Sequence, residues 1–293
     1  MRIALHDADQ TQFPNLALMK LSAYHKGIGD SVEWFAPLWP ADQIYSSKVF
    51  TFSSVAELPS TATMGGSGYD MSVSLPDNIE HIMPDYSLYN CDYSLGFLTR
   101  GCSRNCPWCI VPKKEGAIRA NADIEEFLQH DEAVLLDNNI LASDHGIEQI
   151  QKMAKLGIKV DFNQGLDARL IDSAMAELLS TLKWRSPVRL ACDHSGQIPS
   201  IMKAVKWLRW HNVTPRRYFC YMLVKDIDDA LERVMFLKGI DVDPFAQPYI
   251  DPDGTEPTWI QKDFARWVNH KAEFKSRTWE EYADTKKPNE SQA

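Results

Sequence analysis

The sequence predicts an α/β protein in which an open, partial (βα)6 barrel follows a small α/β domain. Three observations carry this. From Tyr93 onward, short apolar strands alternate with helical stretches in six successive units. Alternation of this kind implies a parallel sheet with right-handed crossovers, and six units fall short of the eight that close a full barrel. Upstream, a separate strand–helix–strand run ends in a Gly-rich stretch. A connector rich in Pro and Asp then runs from Pro76 to Asn90, which sets a boundary near residue 90.

Taken in order, RIAL is a short apolar strand. NLALMKLSAYHK is a helix, with Pro14 at its start, Gly27 just past its end and a basic last turn. SVEWF and KVFTFS read as strands because β-branched and aromatic residues favour a pleated surface. TATMGGSGYD, with Gly65, Gly66 and Gly68, reads as a loop. The six units then begin at YSLGFLT, which leads into a cysteine-rich loop. EAVLLD precedes the helix HGIEQIQKMAKLG, IKVDFN precedes IDSAMAELLSTL, and VRLAC precedes IPSIMKAVKWLRWHN. RRYFCYMLV precedes DIDDALERVMFLKG, and IDVDPFAQPYI supplies a sixth strand. TWIQKDFARWVNHKAEFK reads as one amphipathic helix covering the core, and the polar tail TKKPNESQA reads as disordered. The expected organisation is a small domain over 1–90, a core over 91–252 and a C-terminal helix and tail over 253–293.

The 293 residues are 44% hydrophobic and 24% charged, an ordinary globular balance. There is no apolar run long enough to span a membrane. MRIALHDADQ carries early charges and lacks the apolar stretch of a secretory signal, so a cytoplasmic location is expected. The net charge of −9 disfavours a broad grip on nucleic acid, which needs a basic face. KAVKWLRWHNVTPRRY mixes Lys203, Lys206, Arg209, Arg216 and Arg217 with Trp207 and Trp210. At helical spacing this reads as tryptophans facing the core and basic groups facing water.

Three of the six cysteines, Cys102, Cys106 and Cys109, fall in GFLTRGCSRNCPWCIVPKKEG, directly after the first strand of the six units. Three thiolates on one short loop can ligate three irons of a cubane cluster. An iron left without a protein ligand can then bind a substrate, as catalytic metals keep an open position. Zinc sites more often pair two Cys-x2-Cys knuckles, and there is no second knuckle here. Cys91, Cys192 and Cys220 are dispersed, and the last two lie in apolar strands as core residues.

The spacing Cys102, Cys106, Trp108, Cys109, with the flanking words TRGC and CIVP, resembles the signature of the radical S-adenosylmethionine superfamily. The resemblance extends from Tyr93 to Ile250, where the βα rhythm is similar to that family's partial barrel. It implies a [4Fe–4S] cluster on Cys102, Cys106 and Cys109, with S-adenosylmethionine as the second cofactor. It further implies reductive cleavage to a 5′-deoxyadenosyl radical and a reducing partner such as flavodoxin or ferredoxin. The flanking words resemble the methylthiotransferase and cobalamin-domain branches, but residues 1–90 hold no cysteine for an auxiliary cluster. The cobalt-ligand motif Asp-x-His-x-x-Gly is also missing, so cobalamin is not expected and the first domain reads as Rossmann-like packing. The alternative from another class is a non-catalytic iron–sulfur electron-transfer or sensor protein. A zinc-stabilised binding module is a third.

Active sites on parallel barrels lie at the C-terminal ends of strands. The second strand ends in Asp137, Asn138 and Asn139, where the family places the residues that bind the amino group of S-adenosylmethionine. Its paired glycines are absent here, so the match is one of position and polarity. The third ends in Asn163, Gln164, Gly165, Asp167 and Arg169, a dense polar group suited to ribose, carboxylate or substrate. The fourth ends in Asp193, which suits a ribose hydroxyl, and in His194, an ordinary loop residue. Lys225, Asp226, Gln247 and Tyr249 are weaker candidates for substrate contacts.

Overall fold

The structure, a computed structural model, describes residues 1–54, 57–213, 217–250 and 255–285. It is an α/β protein built on parallel sheets. The first sheet joins β1 (Arg2–Asp7), β2 (Ser31–Trp34), β3 (Gln43–Ser47) and β4 (Thr63–Gly65) in the order β2-β1-β3-β4, all parallel. Helix α1 (Leu16–Gly27) crosses between β1 and β2, and its N-cap Asn15 accepts from the Leu18 N–H. The short helix α2 (Asp77–Glu80) closes this region.

Two expectations for this sheet are corrected. The third strand is QIYSS, not KVFTFS, and the Gly-rich stretch contributes the edge strand β4. Ser46 and Ser47 are polar yet buried because His6 Nδ1 and Asn15 Nδ2 lie 2.8 and 2.9 Å from their hydroxyls. The chain leaves β3 at Lys48, where Asp9 takes the Val49 and Phe50 N–H groups in place of a strand neighbour. A Cβ on Gly66, at φ +97°, would stand 2.3 Å from the Lys48 carbonyl oxygen. Glycine there lets two backbones touch.

The second region opens with β5 (Ser94–Gly96). The pair β6 (Thr99–Arg100) and β7 (Arg119–Ala120) is antiparallel and closes the base of the cysteine loop, which carries the short helix α3 (Val111–Lys114). Then follow β8 (Glu132–Leu135), α4 (Asp144–Leu156), β9 (Lys159–Phe162), α5 (Ser173–Ser180), β10 (Lys183–Trp184), β11 (Val188–Ala191) and α6 (Ile198–Trp210). β12 (Tyr218–Val224), α7 (Ile227–Gly239), β13 (Asp243–Pro248) and α8 (Trp259–Asn269) complete the series. Strands pair in parallel as β10-β9-β8-β5 and as β11-β12-β13. A bridge from Leu166 to Leu190 connects the two sheets. Ser143, Asp172, Asp226 and Thr258 cap α4, α5, α7 and α8 through their side chains. The C-terminal segment expected as one helix is broken at His270, whose ψ of 91° is extended, into α8 and α9 (Lys271–Ser276). A further helix, α10 (Trp279–Asp284), buries Trp279 and Tyr282.

Side chains alternate across each strand. Ala133 and Leu135 join the main core under the helices, together with Val160, Leu190, Cys192 and Cys220. Leu95 and Val134 face the other way and pack on Leu16 and Met19 of α1. The basic–aromatic helix differs from expectation in one respect: Trp207 packs on the core, but Trp210 is 73% exposed. Arg216 and residues 286–293 of the tail lie outside the described residues. Among the described residues, no helix is long and apolar enough to cross a membrane.

Candidate cofactor site at the cysteine loop

The loop from Gly101 to Ile118 hangs from a two-rung ladder and is fastened at both ends. Asp137 is buried and accepts the Leu98 N–H at 3.2 Å, the Thr99 N–H at 2.5 Å and the Thr99 hydroxyl at 2.6 Å. Burial pushes its carboxyl pKa up, opposed by the Thr99 hydroxyl and the backbone N–H groups. Its side chain therefore anchors the start of the loop and does not face the open site. Glu115 fastens the other end by accepting the Gly101 N–H at 2.8 Å and Asn138 Nδ2 at 2.9 Å. Arg100 reaches both Glu115 and Glu80, and Glu80 also pairs with the buried Lys20 of α1.

Cys102, Cys106 and Cys109 are free thiols and half-buried. The Arg104 N–H points at Cys102 Sγ at 3.3 Å, and Asn139 Nδ2 approaches the same sulfur at 3.5 Å. Asn139 also reaches Asp167 Oδ2 at 3.4 Å, while its own Oδ1 is buried with no hydrogen-bond partner. Asp167 binds Arg169 through both carboxylate oxygens, at 2.6 and 3.1 Å, and Arg104 at 2.9 Å. Burial works against the Asp167 carboxylate, but the two guanidinium partners outweigh it and hold its pKa below the usual range. Burial raises the Cys106 thiol, against the pull of nearby Arg169. It raises Cys109 as well, against the Val111 N–H.

On the other side of the loop, Trp108 meets the ring of His194 edge-on at 5.7 Å. Asp193 accepts the Leu223 N–H at 3.3 Å, and burial raises its carboxyl pKa against that bond, Arg233 and the neighbouring Trp108. Arg233 is fully buried on α7 and donates to the carbonyls of Cys192 and Leu223 at 2.7 and 2.8 Å. It thereby fastens the ends of β11 and β12.

The structure thus brings Asn139, Asp167 and Arg169 to the cysteine loop, reaches Asn138 through Glu115, and sets Trp108 beside Asp193. Asn163 presents its backbone carbonyl to the Tyr221 hydroxyl at 3.0 Å. Gly165, at φ +86°, turns the chain so that Leu166 reaches β11. Lys225 lies over the Tyr249 ring at 5.0 Å, and Asp226 caps α7. Arg104, Glu115 and Arg233 were not singled out from sequence. The one available signal was Glu115, a lone acid among the basic residues of the loop.

Among the described residues, no three His, Cys, Asp or Glu side chains form a finished metal-ligand set. The donor chemistry nevertheless suits a thiolate-held cluster: three free thiols on one fastened loop, with N–H donors aimed at one sulfur. The unpartnered Oδ1 of Asn139, whose Nδ2 approaches that sulfur, suits a ligand that donates, such as an amino group. No protein-family model matches this chain, and no curated protein matches it.

Proposed function

We propose that this protein is a radical S-adenosylmethionine enzyme, with β5, β8, β9, β11, β12 and β13 arranged as an open partial barrel around the cysteine loop. One observation carries the proposal. The three-thiol loop follows the C-terminal end of β5, and the polar ends of β8 and β9 close on it. Cys102, Cys106 and Cys109 would hold a [4Fe–4S] cluster, which supplies the electron that cleaves S-adenosylmethionine to a 5′-deoxyadenosyl radical.

The chain's own residues have separable tasks. Asn139 Oδ1 accepts a hydrogen bond from the amino group of the bound ligand. Arg169 and Arg104, half-neutralised by Asp167, draw in its carboxylate. Trp108 and Asp193 wall the opposite side, with Asp193 placed to bond a hydroxyl. Asp137 and Glu115 keep the loop in register beneath these groups. A reducing protein such as flavodoxin or ferredoxin would complete the system.

The test is anaerobic reconstitution with iron and sulfide, followed by dithionite and S-adenosylmethionine. The expected result is visible cluster absorption that Cys106→Ala abolishes, together with release of 5′-deoxyadenosine. Absorption retained in Cys106→Ala refutes the ligand assignment. An intact cluster whose spectrum ignores S-adenosylmethionine, with no cleavage, refutes the enzyme.

A further inference from the structure

We propose that the outer flank of the cysteine loop is the docking surface for a small acidic electron-carrier protein. This rests on the proposed function, since a carrier is needed only if a cluster sits behind the loop. The observation is a charge asymmetry. Residues 99–122 contain Arg100, Arg104, Lys113, Lys114 and Arg119 against one acid, Glu115, in a chain whose net charge is −9.

Arg100 and Arg104 are engaged inward by Glu80, Glu115 and Asp167. Among the described residues, Lys113 and Arg119 make no ion pair, and the half-buried Lys114 has Glu115 as its neighbouring acid. They are neighbours: Lys113 and Lys114 end α3, and Arg119 Nη1 donates to the carbonyl of the next residue, Glu115, at 2.5 Å. Lys113 and Arg119 are exposed. On the same loop Ile110 is 48% exposed and Pro107 is exposed. The result is a small apolar spot beside unpaired cations.

Transient electron-transfer contacts have this character, being small, polar at the rim and steered by charge. Ile110 directly follows Cys109, so a partner seated there is one residue, about 3.8 Å of chain, from a cluster ligand. A nucleic acid fits the patch less well. Single-stranded binding uses aromatic platforms, and the loop's one aromatic side chain, Trp108, is half-buried and already engaged edge-on with His194. In the transfer itself, the reduced carrier loses one electron and the cluster gains it, with no bond made or broken.

The experiment uses reconstituted full-length protein and a photoreduced acidic flavodoxin, following bleaching of the cluster absorption anaerobically. The wild-type rate should fall about tenfold or more as salt rises from about 0.05 to 0.5 M, because the field is then screened within a few ångströms. Lys113→Glu/Arg119→Glu should slow reduction by flavodoxin about tenfold or more at low salt. Cluster content and the endpoint with dithionite should not change, which excludes misfolding. Equal flavodoxin rates in variant and wild type, or a rate indifferent to salt, overturn the surface. So does an RNA oligonucleotide whose binding the variant abolishes while reduction by flavodoxin is untouched. A wild-type protein that assembles no cluster fails earlier, at the proposed function.

Discussion

Replacing Asn139 with alanine should weaken S-adenosylmethionine binding without weakening the ligand-free fold. Asn139 Oδ1 is buried and unpaired, and its amide nitrogen makes only long contacts of 3.4 and 3.5 Å. An unsatisfied buried acceptor costs about 1–3 kcal/mol, and contacts that long return little of it. The free variant should therefore stay within about 1 kcal/mol of wild type, the relieved acceptor offsetting the lost packing. In the complex, the same oxygen accepts from a charged amino group, worth about 1.5–3 kcal/mol. Its loss corresponds to roughly 10- to 150-fold in affinity at 1.4 kcal/mol per decade. Calorimetric titration of the reconstituted protein measures the affinity, and urea unfolding of the free protein measures the stability. An affinity within about twofold of wild type refutes the reasoning. So does a loss of stability above about 2 kcal/mol in the free protein, which would make Asn139 a structural residue.

Three further outcomes are expected. Arg233→Met keeps the volume but strands the Cys192 and Leu223 carbonyls. It should cost about 3–5 kcal/mol in urea unfolding, and a loss under about 1 kcal/mol would mean those carbonyls find other donors. Asp123 suffers from burial, but Lys152, the Glu125 N–H and Gln149 overcome this and hold its pKa at about 2. A depressed folded-state pKa stabilises above the unfolded value near 4 and ceases to do so as pH falls through about 2. With 39% of the side chain exposed, screening limits this to about 1 kcal/mol. Asp123→Asn should therefore be less stable than wild type at neutral pH and equal to it at about pH 2; a gap independent of pH counts against the ion pair. Gly66→Ala forces a Cβ against the Lys48 carbonyl at a positive φ and should lower stability by about 2–3 kcal/mol. A thermal midpoint equal to that of wild type would refute the close backbone approach.

Helices α4, α6 and α7 were legible because their apolar periods are clear, and Ser143 and Asp226 cap two of them. The misplaced third strand shows where hydropathy stops. KVFTFS has the residues of a strand, but its N–H groups at Val49 and Phe50 are taken by a carboxylate forty residues upstream. QIYSS lacks that signal because its two serines are buried through partners on β1 and before α1. The site divides in the same way. The cysteines announce themselves by spacing. Asp137 and Asn139, two residues apart, were indistinguishable in sequence, yet one anchors Thr99 and the other approaches Cys102. Arg104, Glu115 and Arg233 acquire meaning only through partners that folding delivers, such as Asp167 and the Cys192 carbonyl.

The boundary near residue 90 separates sequence patterns better than it separates forces. Tyr89, before it, donates to Asp7 in the first sheet at 2.6 Å, while Tyr86 donates to the Phe127 carbonyl in the second region at 2.6 Å. Met19 and Leu16 of α1 cover Leu95 and Val134, a strand face that would otherwise meet water. Below them runs a chain of charges, Lys20 to Glu80 to Arg100 to Glu115, and Glu115 holds the Gly101 N–H at the mouth of the cysteine loop. Lys20 is held below its usual pKa by burial, with Glu80 opposing. Without residues 1–90, Arg100 would lose Glu80 and keep Glu115 as its acidic partner, and the loop would lose part of its fastening. Residues 1–90 thus brace the candidate site from outside, through Glu80 on Arg100 and through α1 on Leu95 and Val134.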